Sequence, residues 1–321
     1  MKKLLLKAFL FTSVFIAICS IIYSVLYGFI SPKRILYDKT FTKINQYELF
    51  IKNRKSTNLI LGSSLAEFAI IPESLGENWF SFTNVSTNVH ESFIFLKRQI
   101  DNNVKLDSII LVINPFDFPN SYIEKRDYDL SLPMMNGGYG YFDLDSITRI
   151  KKESLKKRIQ AFKNVAFPNV KNILFKNKNN SLKISKQGYS GSRSRGKNID
   201  SLVQFGFIRK QIVENYFYEI NKQPNFSYFN NFDSYTKSKN IKVFYVITPK
   251  SQWYLKELKT NSTRNLTWNY VKSKLSDNSK NFIDAESFFT KDSIFFHDET
   301  HLSLPGAVEF SKQFFNYYEE K

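Results

Sequence analysis

Apolar runs that suit buried strands recur along the chain and alternate with helical patterns, and this alternation constrains the fold most. Five segments have such a run, bounded by turn residues: TNLILGSS (57–64), WFSFTNVS (79–86), DSIILVINP (107–115), IKVFYVITP (241–249) and NFIDA (281–285). Three segments have helical periodicity: 91–103, 201–220 and 253–275. Strands that alternate with helices pair in parallel and are covered on both faces. The sequence therefore predicts an α/β fold, a three-layer α/β/α sandwich around a parallel sheet.

A long uncharged segment precedes this pattern. From Ala8 to Ile30 there is no charged residue in 23 positions. As a helix that rises about 1.5 Å per residue, the segment would cross a hydrocarbon core of roughly 30 Å. We predict one transmembrane helix, a membrane anchor over residues 1–31. The alternative is a cleaved signal peptide, which is disfavoured because such peptides have a shorter apolar core and a small-residue cleavage site.

The anchor bears on where the rest of the chain works. Basic residues flank both ends of the apolar segment, so the positive-inside rule gives only a modest preference for one orientation. A short N-terminal tail before a large domain favours a single-pass membrane protein with an extracytoplasmic domain, periplasmic or extracellular. The one cysteine, Cys19, lies in the apolar segment. The remaining residues therefore exclude disulfides and Cys-based metal sites.

Three regions follow from these patterns. Residues 32–55 suit an amphipathic helical stalk or linker, and residues 56–321 suit the α/β domain. Loop-like sequence interrupts the domain at about 118–206, which we predict to be an insertion over one edge of the site.

The positive charge is concentrated in the predicted insertion. The net charge of the chain is +17. Residues 151–200 hold 14 Lys or Arg against two acidic residues, a contribution of +12. Such a segment is either a solvated surface or an electrostatic site for anionic lipid headgroups or an acidic polysaccharide. The anchor argues against nucleic acid as a partner.

The stretch HDETHLSLPGA near the C-terminus has the residue types of a catalytic base and its orienting group. Asp298 and His301 are three residues apart, so Asp298 can accept from His301 Nδ1 and leave Nε2 facing a hydroxyl. Ser303 can cap the helix that follows, with Pro305 in its first turn. His297, Asp298 and His301 are also possible metal ligands, but no second acidic or His cluster completes a site. We expect no metal and no cofactor.

A partner hydroxyl is expected at the C-terminal end of a strand, because ligands of open α/β sheets bind there. Ser63 and Ser64 follow the strand ending in NLILG, and Gly62 permits a sharp turn into a helix. Backbone N–H groups at that helix start can hold an oxyanion.

These two motifs resemble those of the SGNH/GDSL hydrolase superfamily, over about residues 56–315 in block order. The sequence LGSS resembles the first block, with Ser63 where many members have aspartate, and DETHLSLPGA resembles the last block. The membrane anchor with a Gly-Ser-Ser block is similar to D-alanine transfer and alginate O-acetylation proteins, which act with membrane-bound O-acyltransferases. The resemblance implies a flavodoxin-like parallel sheet, Ser64 as nucleophile, His301 as base and Asp298 as its orienting group.

The middle blocks of the superfamily are altered here. The oxyanion donor of the second block corresponds to the Ser86 N–H in NVST. The third block, usually Gly-x-Asn-Asp, reads NPFD with Phe116 in the asparagine position. Asn114 can substitute as a donor from the neighbouring turn position. Loss of one such donor typically costs about 10²–10³ in rate.

Three functions are compatible with these features. The first is an extracytoplasmic serine O-acyltransferase or esterase acting on acyl groups of a cell-surface glycan, with a multi-span membrane O-acyltransferase as a possible partner. The second is a non-catalytic relative that binds polysaccharide or scaffolds an assembly complex, which the altered third block favours. The third is a basic module that binds the membrane surface.

Overall fold

The structure is a computed structural model of the 321-residue chain. It describes residues 39–54, 57–83, 87–118, 184–191, 224–260, 262–278, 281–289 and 292–319, with helical residues 7, 9–16, 18 and 19. In these residues no helix has both the length and the apolar character needed to cross a membrane. Much of the predicted anchor, and the predicted helix at 201–220, lie outside the described residues.

The chain divides into two compact units. One comprises Met1–Thr42, Leu130–Gly140 and Leu144–Leu182, most of which lies outside the described residues. The other comprises Lys43–Asp129, Tyr141–Asp143 and Lys183–Lys321 and contains a five-stranded sheet.

All five predicted strands are present, and all neighbouring pairs are parallel. The strands are β1 (Thr57–Gly62), β2 (Trp79–Thr83), β3 (Leu106–Val112), β4 (Lys242–Ile247) and β5 (Phe282–Asp284). Their order is β2-β1-β3-β4-β5, so the chain leaves β1 toward one edge and then returns to its other side at β3. This reversal makes the C-terminal ends of β1 and β3 the switch point at which such sheets bind ligands.

Seven labelled helices accompany the strands in the part of the chain that the structure describes. They are α1 (Lys39–Lys52), α2 (Ser64–Ala69), α3 (Val89–Asp101), α4 (Ser227–Ser238), α5 (Gln252–Thr260), α6 (Ser262–Asn278) and α7 (Leu304–Glu319). Short 3₁₀ turns lie at Pro72–Ser74, Pro115–Asp117 and Ser293–Phe295. The predicted α/β fold is therefore confirmed.

Both faces of the inner strands are buried, as their continuous apolar runs predict. In β1, Leu59 and Leu61 belong to one apolar cluster, whereas Ile60 belongs to a second. The first cluster includes residues of α1, α3, α4, α5 and α6, and the second includes residues of α2 and α7. Alternate side chains of each strand thus enter different clusters, because successive strand residues point to opposite faces.

Helix α1 lies in the region predicted as a stalk, and its residues from Lys43 onward belong to the sheet-containing unit. Tyr47 and Phe50 are buried in the first cluster, and the Tyr47 ring contacts Phe80 of β2 edge-on, with 5.2 Å between ring centroids. Lys43 is also fully buried. This part of the helix is therefore a packed element of the unit rather than only a connection to it.

Three details of the helices differ from the sequence prediction. Helix α3 begins two residues early, at Val89, because Asn88 and Glu91 form a capping box. The predicted helix at 253–275 is divided into α5 and α6. Helix α4 was not predicted: its Asn, Ser, Thr and Asp residues favour helices poorly, but Phe229 and Phe232 are buried in the core.

A described piece of the predicted insertion, residues 184–191, lies along edge strand β2. The Ser81 N–H donates to the Gln187 carbonyl oxygen at 2.8 Å. The Gln187 side-chain amide donates to the carbonyl oxygens of Trp79 and Gly76 at 2.8 and 2.9 Å. These bonds occupy backbone groups of an edge strand, which would otherwise be available for pairing with another chain.

The turn between β1 and α2 depends on Gly62. Its φ is +133°, and a Cβ there would lie 3.0 Å from the Val112 carbonyl oxygen and 3.2 Å from the Ala66 Cβ. Gly76 also has a positive φ, +113°, but a Cβ there would have no atom within 4 Å. Both positions thus require a backbone conformation that favours glycine, but only at Gly62 would a Cβ contact neighbouring atoms.

We predict that Gly62→Ala lowers the free energy of unfolding more than Gly76→Ala does. The left-handed backbone costs of order 1–3 kcal/mol at both positions, and only Gly62→Ala adds a steric clash with β3. Urea unfolding of the two variants in detergent measures the difference. Equal losses would contradict the close packing of this turn against β3.

Candidate active site

Ser64 lies at the sheet switch point, where β1 turns into α2. Gly62 ends β1, and Ser63 is the N-cap of α2, accepting from the Leu65 N–H at 3.2 Å. Ser64 is the first residue of α2 and is partly exposed. The N–H of a first helical residue has no acceptor within its own helix. The turn therefore presents a hydroxyl and an adjacent backbone donor at the carboxyl edge of the sheet.

The predicted residues Ser64, His301 and Asp298 lie together. Ser64 Oγ is 2.8 Å from His301 Nε2. On the other side of the imidazole ring, Nδ1 is 2.8 Å from Asp298 Oδ2 and 2.9 Å from Oδ1. A hydroxyl, an imidazole and a carboxylate are thus linked in series, although Ser64 and His301 are separated by 237 positions in the chain.

The Asp298 carboxylate is held by the loop that carries His301. Its Oδ1 accepts from the N–H groups of Thr300 and His301, both at 2.9 Å, and from the Thr300 hydroxyl at 3.2 Å. Asp298 and His301 are each less than a tenth exposed. The carboxylate consequently has one orientation, with Oδ2 directed at the imidazole.

Helix α7 fixes this loop against the body of the unit. Ser303, the predicted cap, accepts from the Gly306 N–H at 3.4 Å and donates to the Ile294 carbonyl oxygen at 2.6 Å. A Cβ on Gly306 would lie 2.1 Å from the Phe295 carbonyl oxygen, so only glycine fits there. The apolar residues Ala307, Phe310 and Phe314 of this helix are buried.

The turn after β4 also contacts the Asp298–His301 loop. The Ser251 N–H donates to the Glu299 carbonyl oxygen at 3.1 Å. The buried Lys250 ammonium donates to Thr248 Oγ1 at 3.1 Å and to the Thr300 carbonyl oxygen at 3.5 Å. Two strand ends therefore support the loop, β1 through Ser64 and β4 through Lys250 and Ser251.

Asn114 lies beside the nucleophile turn, at the end of β3. Its side-chain amide is 3.4 Å from Ser63 Oγ, and its N–H donates to Asp117 Oδ2 at 2.8 Å. Asp117 Oδ1 accepts from the Val89 N–H at 3.1 Å, so this carboxylate joins the β3 turn to the start of α3. Ser86, the other predicted oxyanion donor, lies outside the described residues.

The other two histidines do not take part in this series. The His297 ring stacks on Phe68, with 6.0 Å between centroids. The backbone N–H of His297 donates to the His301 carbonyl oxygen at 2.8 Å. Phe68 also packs against the His301 ring at 5.0 Å. His90 lies on α3 and contacts Tyr228. Across the described ranges, no group of three or more His, Cys, Asp or Glu side chains could hold a metal ion.

Sequence reasoning missed several residues that support the site. Thr300 lies inside the recognised stretch, and its position between Asp298 and His301 is the only local signal for its role. Lys250 gave no signal, because the Thr300 carbonyl oxygen that it contacts lies 50 positions away. Ser311 of α7 gave none either, because the Ile71 N–H from which its hydroxyl accepts lies 240 positions away.

Two comparisons with known proteins give no relative for the chain. No protein-family model matches it, and the search of curated proteins finds no match.

We predict that Asp298→Asn changes the tautomer of His301. The asparagine oxygen would keep the Oδ1 position, where backbone N–H groups donate to it. Its NH₂ would then face Nδ1 and favour the tautomer protonated at Nε2. Imidazole nitrogen NMR shifts, assigned with His90→Asn and His297→Asn, report the tautomer. Nδ1 that stays protonated in Asp298→Asn would contradict the orienting role of the carboxylate.

Proposed function

We propose that the protein is a membrane-anchored serine esterase or O-acyltransferase that acts outside the cytoplasm on acyl groups of a cell-surface glycan. The observation that carries the proposal is the contact series Ser64 Oγ–His301 Nε2 and His301 Nδ1–Asp298. A nucleophile, a base within hydrogen-bond reach and a third group that orients the base are the requirements of acyl-enzyme chemistry.

We also propose a more specific fold for the sheet-containing unit. The strand order 2-1-3-4-5 and the two apolar clusters support a flavodoxin-like, three-layer α/β/α sandwich of the SGNH type. The positions of Ser64 after β1 and of Asp298 and His301 before the last helix agree with the block order of that superfamily.

In the first half of the proposed reaction, Ser64 Oγ attacks the acyl carbonyl carbon of the donor while His301 Nε2 takes the hydroxyl proton. Asp298 stabilises the resulting imidazolium. The tetrahedral intermediate then expels the donor alcohol, which receives the proton from His301, and leaves an acyl-Ser64 ester. In the second half, a glycan hydroxyl or water gives its proton to His301 and attacks the carbonyl carbon of this ester. The second tetrahedral intermediate then expels Ser64 Oγ, which takes the proton back from His301.

The developing oxyanion requires donors near Ser64. The Ser64 N–H at the start of α2 and the Asn114 amide, which already lies next to Ser63, are the candidates among the described residues. We assign a third donor to the Ser86 N–H from the superfamily resemblance alone.

The anchor and the basic segment suggest the surroundings of the reaction. The uncharged residues 8–30 would hold the domain at a membrane, near an acyl donor or a multi-span membrane O-acyltransferase. The +12 segment, 151–200, would attract an acidic glycan or an anionic surface.

A non-catalytic binding or scaffold protein is the second candidate. Phe116 stands where the superfamily has its oxyanion asparagine, and that observation favours it. The two candidates differ in whether Ser64 reacts.

We predict that a serine-directed fluorophosphonate labels the full-length protein and that Ser64→Ala reduces labelling to background, because this oxygen is the one that becomes modified. His301→Ala should slow labelling by roughly 10²–10⁴-fold, the usual contribution of a general base. Gel fluorescence or mass spectrometry measures the label.

The matched control is Ser63→Ala. Ser63 Oγ caps α2 and contacts Asn114. Labelling should persist when Ser63 Oγ is removed, because the hydroxyl that faces His301 Nε2 is that of Ser64. Labelling that survives Ser64→Ala would reject the assignment, and no labelling of the folded native chain would favour the non-catalytic candidate.

We predict that the α/β domain lies outside the cytoplasm. Cysteine labelling can test this, because Cys19 is the one cysteine of the chain and can be replaced. In a Cys19→Ala background, an exposed Lys312→Cys should react with an impermeant maleimide in spheroplasts. Lys3→Cys, before the apolar segment, should react only after lysis. The reverse pattern would place the domain in the cytoplasm.

A further inference from the structure

A fully buried ion pair lies one helical turn beyond Ser64. Glu67 Oε1 of α2 lies 3.5 Å from Lys43 Nζ of α1, and both side chains are fully buried. The Ser190 hydroxyl, from the segment along β2, contacts the same carboxylate oxygen. Three separate parts of the chain therefore meet at a charged residue on the helix that begins with the proposed nucleophile.

The Lys43 ammonium also binds the end of edge strand β2. It donates to the Thr83 carbonyl oxygen and to Thr83 Oγ1, the latter at 3.2 Å. Thr83 Oγ1 lies in turn 3.1 Å from the Ser81 hydroxyl. One cation thus connects α1, α2 and the last residue of β2.

Stability alone is a weak reason for such a pair. Removing two charges from water costs free energy that their attraction often fails to recover, and apolar residues of similar volume are frequently as good or better. Helix α2 has only six residues, too few to be stable by its own hydrogen bonds. Its orientation depends on what its side chains touch.

Glu67 and Ser64 are neighbours on α2, because residues three apart lie on one side of a helix. A contact that fixes the Glu67 carboxylate against β2 therefore also limits rotation of the turn that carries Ser64. We infer that Lys43 is a positioning residue of the proposed acyl-transfer site, acting through Glu67 and Thr83 on the placement of Ser64.

This inference rests on the proposed function and adds a role for α1. The positioning cation comes from the helix that follows the predicted membrane segment, not from the sheet or its crossover helices. The placement of Ser64 would then depend on how α1 packs.

The test measures the fluorophosphonate reaction of the full chain in detergent, well below the unfolding midpoint of each variant. Lys43→Met removes the charge and keeps the side-chain length. We expect the limiting rate of labelling to fall roughly 10- to 100-fold, as for a small misplacement of a reacting group, with the half-saturating probe concentration unchanged.

A second variant separates positioning from folding. In Lys43→Met/Glu67→Leu no buried charge is left without its partner, so the unfolding midpoint should recover toward that of the native chain. The limiting rate should stay low, because Thr83 and α2 still lack their common cation. Lys43→Arg, which keeps the charge, should restore part of the rate.

Lys272→Met is the matched control. Lys272 pairs with Glu286 at 2.9 Å and with Asp284 at 3.1 Å, beside β5. Burial lowers the pKa of Lys272, but the Glu286 and Asp284 carboxylates more than offset this, and the net pKa is raised. Its removal should lower the unfolding midpoint and leave the labelling rate unchanged.

The outcomes distinguish failure of the proposed acyl-transfer function from failure of the positioning role of Lys43. A native chain that is not labelled contradicts the proposed function. A labelled native chain, with the Lys43→Met and double variants labelled at the native rate, overturns the positioning role. The positioning role is also overturned if neither variant folds, because Lys43 would then be a structural requirement.

Discussion

The packing of α2 against α7 is the constraint on which the site depends. Helix α2 begins at Ser64, and α7 follows His301, so the two helices bring together residues from opposite ends of the unit. The buried Ser311 hydroxyl of α7 accepts from the Ile71 N–H at 2.9 Å and lies 3.4 Å from the Ala69 carbonyl oxygen at the end of α2. Phe310 and Phe314 add apolar contact in the cluster that α2 shares. The 2.8 Å contact of hydroxyl and imidazole follows from how these two helices pack.

Around this contact, polar groups that would otherwise be costly to bury are held by backbone and side-chain partners. The Asp298 carboxylate receives donors from its own loop, Asp117 joins the turns after β3 and before α3, and Lys43 joins α1, α2 and β2. Only Ser64 among the three residues in series is appreciably exposed. A rigid base beside an accessible hydroxyl is the arrangement that acyl transfer requires, because the base must not relax when the substrate arrives.

The features that could be predicted from the sequence were those with a local signature. Parallel strands buried on both faces appear as continuous apolar runs, and Asp298 and His301 lie within one loop ahead of a capped helix. The start of α3 also has a local signature, the capping box of Asn88 and Glu91. Helix α4 has no such signature, because most of its residues are poor helix formers and the burial of Phe229 and Phe232 stabilises it instead. The Lys43–Glu67 pair, 24 positions apart, could not be predicted, because nothing in the sequence near a lysine shows that it is buried.

We propose, as the central point, that Ser64 becomes covalently acylated by a reaction in which His301 is the base. The most direct measurement is to mix the full-length protein with an activated acetyl ester, quench in acid and map the modified peptide by mass spectrometry. We predict one acetyl group on Ser64 that disappears when a nucleophilic acceptor is added before the quench. An unmodified Ser64 peptide, with the acetyl group absent or only on surface lysines, would contradict it.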